Sequence, residues 1–140
     1  MIVGDRASDD HAVNEAIELA ELLGLPVYQS RGAEVAFPTT HPQFMGNLSL
    51  RVADHREILK RVDLVLTVGM DTFEELFYWG DPILNQDVKL IHIDPVPGKV
   101  GKSEPVSVGI ISHCKLALNE LIKTVKPLLN LSLIHISEPT

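Results

Sequence analysis

Cysteine is almost missing from this chain. The single residue, Cys114, excludes an internal disulfide and any zinc site built from several thiolates, and it suits a reducing, cytoplasmic compartment. Basic residues are also in short supply: 12 Lys+Arg stand against 19 Asp+Glu, for a net charge of −7. The few that exist are scattered, so no basic patch offers itself to nucleic acid. No apolar run approaches the roughly 20 residues of a membrane span, and the first residues lack the basic-then-apolar pattern of a signal peptide. No internal repeat, charge run or G-x-G-x-x-G fingerprint occurs. What remains is an ordinary globular composition. The 140 residues are 45% hydrophobic and 22% charged, with a mean hydropathy of +0.13. That excludes a disordered chain and suffices for one self-supporting domain.

Short apolar runs alternate with helical periodicity. Ile2-Val3-Gly4 reads as the end of a strand whose beginning is missing, followed by a polar turn from Gly4 to Asp10 in which Ser8, Asp9 or Asp10 can cap a helix. Val13, Ala16, Ile17, Ala20 and Leu23 recur at helical spacing, and Gly24 is placed to close that helix. Leu25 to Gln29 is β-prone. Ser30 to Leu50 has no period and contains Gly32, Pro38, Pro42 and Gly46, which predicts a long loop. A helix is expected from Val52 through Val62. Leu64 to Val68 is a branched apolar run ending at Gly69, the pattern of a central parallel strand buried on both faces. Phe73 to Trp79 predicts one or two irregular helical turns. Strands are expected at Lys89–Ile93 and Val106–Ile111, then a helix capped by Ser112 and stopped by Pro127. Strands alternating with helices give an α/β fold with a parallel sheet and right-handed crossovers.

Chemistry-bearing residues are few. Gly69 and Asp94 follow strands, where open α/β sheets bind ligands; they read either as cofactor-binding residues, with Asp94 accepting a ribose hydroxyl, or as a turn and a cap. Gly4-Asp5-Arg6 is no phosphate cradle, because it has one glycine and carboxylates crowd around it. His41 reads as a hydrogen-bonded loop residue, and no second ligand stands at metal spacing beside it. Asp71, Glu74, Glu75 and Asp81 read as a solvated acidic segment, and Cys114 as a buried small hydrophobe.

The order of these pieces resembles the central domain of thiamine-diphosphate (TPP)-dependent enzymes, the group of acetolactate synthase and benzoylformate decarboxylase-like 2-oxo-acid decarboxylases. The matching pieces are Ile2-Val3-Gly4, Ala16 to Leu22 with Gly24-Leu25-Pro26-Val27, and Phe37-Pro38-Thr39-Thr40-His41-Pro42 with Gly46. Val62 to Gly69, Lys89 to Asp94, and Val108 to Ile111 ahead of Leu116 to Leu121 complete them. The resemblance covers residues 1–126. It implies a three-layer, Rossmann-like open parallel sheet of six strands with helices on both faces, of the DHS-like NAD/FAD-binding kind. It further implies a non-catalytic domain between two domains that hold thiamine diphosphate and Mg²⁺ in a full-length parent, itself a dimer or tetramer. Some members bind FAD or ADP in this domain, so a free-standing nucleotide-binding domain is the alternative. A sirtuin-like deacylase shares the sheet but needs a four-cysteine zinc site, which one cysteine cannot supply. Residues 127–140 match no element of the family, and Leu131 to Thr140 resembles the translation of a sequencing-adapter read-through. It is expected to be a dispensable tail.

Overall fold

The computed structural model describes residues 1–30, 35–48, 52–71 and 83–137. Six strands form one parallel sheet: β1 (Ile2–Val3), β2 (Val27–Gln29), β3 (Phe44–Asn47), β4 (Leu64–Val68), β5 (Lys89–Asp94) and β6 (Val108–Ile111). Their spatial order is β3-β2-β1-β4-β5-β6. The chain therefore starts in the middle, winds outward to one edge, crosses back over β1 and winds to the other. The reversal falls between β1 and β4, which pair through Ile2 with Thr67 and Val3 with Val68.

Alternation along the strands supplies two cores. Val3, Leu66, Val68 and Ile93 face helices α1 (Asp5–Asp9), α2 (Val13–Leu23) and α4 (Cys114–Ser137), packing with Ala16, Leu19, Ala20, Leu118 and Ile122. Ile2, Val65 and Leu90 face the opposite way, toward Leu59 of α3 (Val52–Leu59) and Ile83. The result is the three-layer arrangement that the resemblance implies. Val65, Leu66, Thr67 and Val68 are buried as a central strand requires, although Leu64 at the entry is half exposed. Gly24 closes α2 at φ +65°, the left-handed conformation that a residue with a Cβ adopts at a cost.

Several local expectations are corrected. The turn from Gly4 to Asp10 contains a helical turn of its own, α1. The aperiodic stretch after Ser30 hides edge strand β3, whose Phe44 and Gly46 pair with Val27 and Tyr28. A four-residue edge strand containing Gly46 carries no alternation to recognise. The helix from Val52 ends at Leu59 rather than Val62. Pro127 does not stop the last helix, which runs on to Ser137 with the proline inside it. Proline removes one N–H and leaves the rest of the ladder available, so a helix can continue past it at a cost. The expected turns at Phe73 to Trp79 lie outside the described residues. Among the described residues no helix is long and apolar enough to cross a membrane.

Candidate functional site

The carboxyl ends of β1, β4 and β5 converge where the strand order reverses, the place where an open α/β sheet offers a crevice. In this chain, backbone contacts cross it. Gly4 N–H donates to Val68 O at 3.0 Å, Arg6 N–H to Gly69 O at 3.0 Å, and Gly69 N–H to Ile93 O at 2.8 Å. These three amides are thus spent on neighbouring backbone carbonyls. Gly69 has φ +63°, and a Cβ there would lie 2.3 Å from the Ala7 nitrogen. A Cβ on Gly4 would lie 2.5 Å from that of Met70. Both glycines are needed because two loops touch backbone to backbone.

Arg6 ties the three strand ends together. Its Nε lies 3.0 and 3.1 Å from the two Asp94 carboxylate oxygens, and its Nη2 lies 2.8 Å from Asp94 Oδ2. The same Nη2 donates to Asp71 Oδ1 at 2.7 Å, and Lys99 Nζ donates to Asp71 Oδ2 at 2.9 Å. Asp94 is fully buried, whereas Arg6, Asp71 and Lys99 are partly open at the rim. The Val96 N–H caps Asp94 Oδ1 at 2.9 Å. Below it, buried His92 places Nε2 3.1 Å from Met70 O and 3.5 Å from Asp94 Oδ2. Burial pushes the Asp94 carboxyl pKa up, but hydrogen bonds from His92, Arg6 and the Val96 amide outweigh it and hold the pKa below the usual carboxylate range. Burial likewise disfavours the Arg6 charge, and its two carboxylate partners more than restore it.

The structure thus brings the two residues singled out in the sequence, Gly69 and Asp94, to one place, with Asp94 paired to Arg6 and Gly69 seated against Ala7. Arg6 and Lys99 organise the cluster, and nothing in the sequence marks the partners they meet. They lie 88 and 28 residues from their respective partners Asp94 and Asp71. Asp71 is not a merely solvated carboxylate, since it bridges two cations; Glu74, Glu75 and Asp81 lie outside the described residues. His41 has the expected structural role: its Nε2 lies 2.9 Å from Glu21, its Nδ1 accepts from the Gln43 amide, and its ring meets Phe37 edge-on. Cys114 is fully buried, and burial, with Asp10 beside it, pushes its thiol pKa far up, the opposite of a nucleophile. Ser112 does not cap α4; Asp10 does, its Oδ2 accepting the Cys114 N–H at 2.7 Å. A cavity of about 320 Å³ lies away from this cluster, lined by Arg56, Glu57, Leu59, Lys60, Ile83 and Asn85.

Comparisons with known proteins agree with this Rossmann-like sheet. The model of the thiamine pyrophosphate enzyme central domain matches residues 1–121. The chain belongs to that family. As a TPP-enzyme central domain it is 33% identical over 107 residues to the sulfoacetaldehyde acetyltransferase of Roseovarius nubinhibens, covering 74% of this chain and 18% of that protein. It is 29% identical over 127 residues to the acetolactate synthase of Mycobacterium bovis, covering 90% and 20%. Among solved structures, the thiamine diphosphate-dependent 4-hydroxybenzoylformate decarboxylase of Rhodococcus jostii superposes with a TM-score of 0.77 at 30% identity, over 87% of this chain and 23% of that one. This central domain spans about a fifth of the length of the curated relatives it matches.

Proposed function

We propose that this central domain is a non-catalytic scaffold within a larger thiamine-diphosphate enzyme that decarboxylates 2-oxo acids or joins carbon fragments derived from them. The observation that carries this reading is the family match over residues 1–121. The names of the relatives, an acetolactate synthase and a 4-hydroxybenzoylformate decarboxylase among them, support the substrate class. When bound in such a parent, thiamine diphosphate supplies a stabilised carbanion next to the substrate carbonyl, and the protein supplies position and electrostatics. The cofactor and its Mg²⁺ would be held by the parent's flanking domains, which are the expected packing partners of this one, in a dimer or tetramer. Among the described residues no group of three or more His, Cys, Asp or Glu is placed to hold a metal ion. The carboxylates of the strand-end cluster already serve Arg6 and Lys99. The described residues therefore do not fit a Mg²⁺–diphosphate site, and no catalytic step is assigned to them.

The second reading is a free-standing FAD- or ADP-binding domain that uses Gly69 and Asp94. The strand order supports it; the paired Asp94 carboxylate and the spent crevice amides weigh against it. The domain unit is taken as residues 1–126, with 127–140 as a foreign tail, and the compartment as cytoplasmic. Two measurements test these readings. The purified chain, given thiamine diphosphate and Mg²⁺, is expected not to turn over pyruvate or benzoylformate; cofactor-dependent turnover would overturn the scaffold reading. Titration with FAD, ADP and NAD is expected to show no saturable binding, and saturable binding by the wild-type chain would favour the nucleotide reading.

A further inference from the structure

The two oxygens of Asp71 are taken by two different cations, Arg6 at 2.7 Å and Lys99 at 2.9 Å. That is the way a protein binds the carboxylate or phosphate of a ligand. We propose that Arg6 and Lys99 form a two-cation anion site at the mouth of the β1–β4 crevice, and that Asp71 occupies it from within, so that the chain refuses compact polyanions of the diphosphate class while that carboxylate is in place. The proposal concerns this chain's own residues and stands whatever reaction the parent performs.

Three observations carry it. The first is accessibility: the side chains of Arg6, Lys99 and Asp71 are 24%, 29% and 30% exposed, so the contact lies at a rim that solutes reach. The second is charge. Among the described residues, Arg6 and Lys99 are balanced by Asp71 and buried Asp94, and withdrawing Asp71 leaves two cations over one carboxylate. The third is the backbone. The Gly4, Arg6 and Gly69 amides already donate to Val68, Gly69 and Ile93. An anion would therefore be held by the two side chains rather than by an amide cradle. Tethering explains the refusal, since a carboxylate on the same chain competes at an effective concentration in the millimolar range or above.

The test is calorimetric titration of the full chain with inorganic pyrophosphate at low ionic strength, where such contacts are least screened. Asp71→Asn keeps the side-chain shape, and Asp71→Ser is a second, smaller variant; the fold of each is checked by circular dichroism. Both are expected to bind pyrophosphate roughly tenfold or more tightly than the wild-type chain, because two charge-assisted contacts become available. The double variant Asp71→Asn/Lys99→Ala is expected to lose that gain. The proposal is overturned if the wild-type chain binds equally well, if the folded Asp71 variants do not bind, or if the gain survives loss of Lys99. Failure of both Asp71 variants to fold would assign Asp71 to stability alone and overturn it as well.

Discussion

Asp94 is a fully buried carboxylate whose burial is tolerated because Arg6 supplies a two-pronged counter-ion and the Val96 amide completes its hydrogen bonding. Removing one partner of such a pair is costly because the other charge is left uncompensated. Arg6→Ala is expected to lower unfolding free energy by about 3–5 kcal/mol, read from urea denaturation. A loss below about 1 kcal/mol would mean that water reaches Asp94 and the pair is ornamental. The same pair has a pH signature. Asp94 is held below its unfolded value, so its contribution is fully present above the unfolded carboxylate pKa of about 3.9 and is lost as pH falls through the lower folded value. Wild-type stability should therefore fall more steeply with acid below about pH 4 than that of Asp94→Asn. Parallel urea midpoints for the two proteins across that range would contradict the assignment.

At the scale of elements, β4 is the strand on which both cores depend. Val65 faces one side with Ile2 and Leu90, and Leu66 and Val68 face the other with Val3 and Ile93. Val65 is 3% exposed. Val65→Asp would place an unpaired carboxylate between β4 and α3, at a cost of several kcal/mol against a total stability of about 5–15 kcal/mol. The variant is expected to be insoluble or to lack a cooperative melt; a soluble protein with a wild-type melting curve would refute the burial of β4. Elements also borrow from one another. Asp10, one of three residues readable as caps for the following helix, caps α4 instead, 104 residues away, while α2 begins at Ala12 without a side-chain cap. The capping chemistry is local to a residue type; which helix receives it depends on where the chain returns.

For the whole molecule, α2 and α4 pack side by side on one face of the sheet, and α4 contributes Cys114, Leu118 and Ile122 to the core. Farther along α4, Lys126, Pro127, Leu128 and Asn130 are exposed. The segment beyond Pro127 thus starts outside the core. Deleting residues 131–140 is expected to leave the melting temperature within a degree or two, since the family match ends at residue 121 and chain termini tolerate truncation. Solubility should rise, because a leucine- and isoleucine-rich terminal stretch is an aggregation liability. A drop of more than about 2 kcal/mol on truncation would show that the tail completes the core.

Periodicity and run length sufficed for the elements that bury one uniform face or two. Val13–Leu23 shows its helical spacing, Leu64–Val68 its unbroken apolar run, and Gly24 its role as a terminator, because each follows from interactions within a few residues. Gly69 and Asp94 were legible as residues at strand ends for the same reason. Edge strand β3 was not, since an edge strand needs no apolar pattern and owes its conformation to pairing with Val27–Gln29. Nor was the continuation of α4 through Pro127, where local chemistry argues for a stop. The pairing of Arg6 and Lys99 could not be read at all. A charged side chain carries no mark of its partner, and only the crossover that sets β1 beside β4 and β4 beside β5 brings Arg6 onto Asp71 and Asp94. Sequence determined which residues had to be buried; the tertiary structure decided which charges had to meet, because ion pairing acts through space and leaves no period along the chain.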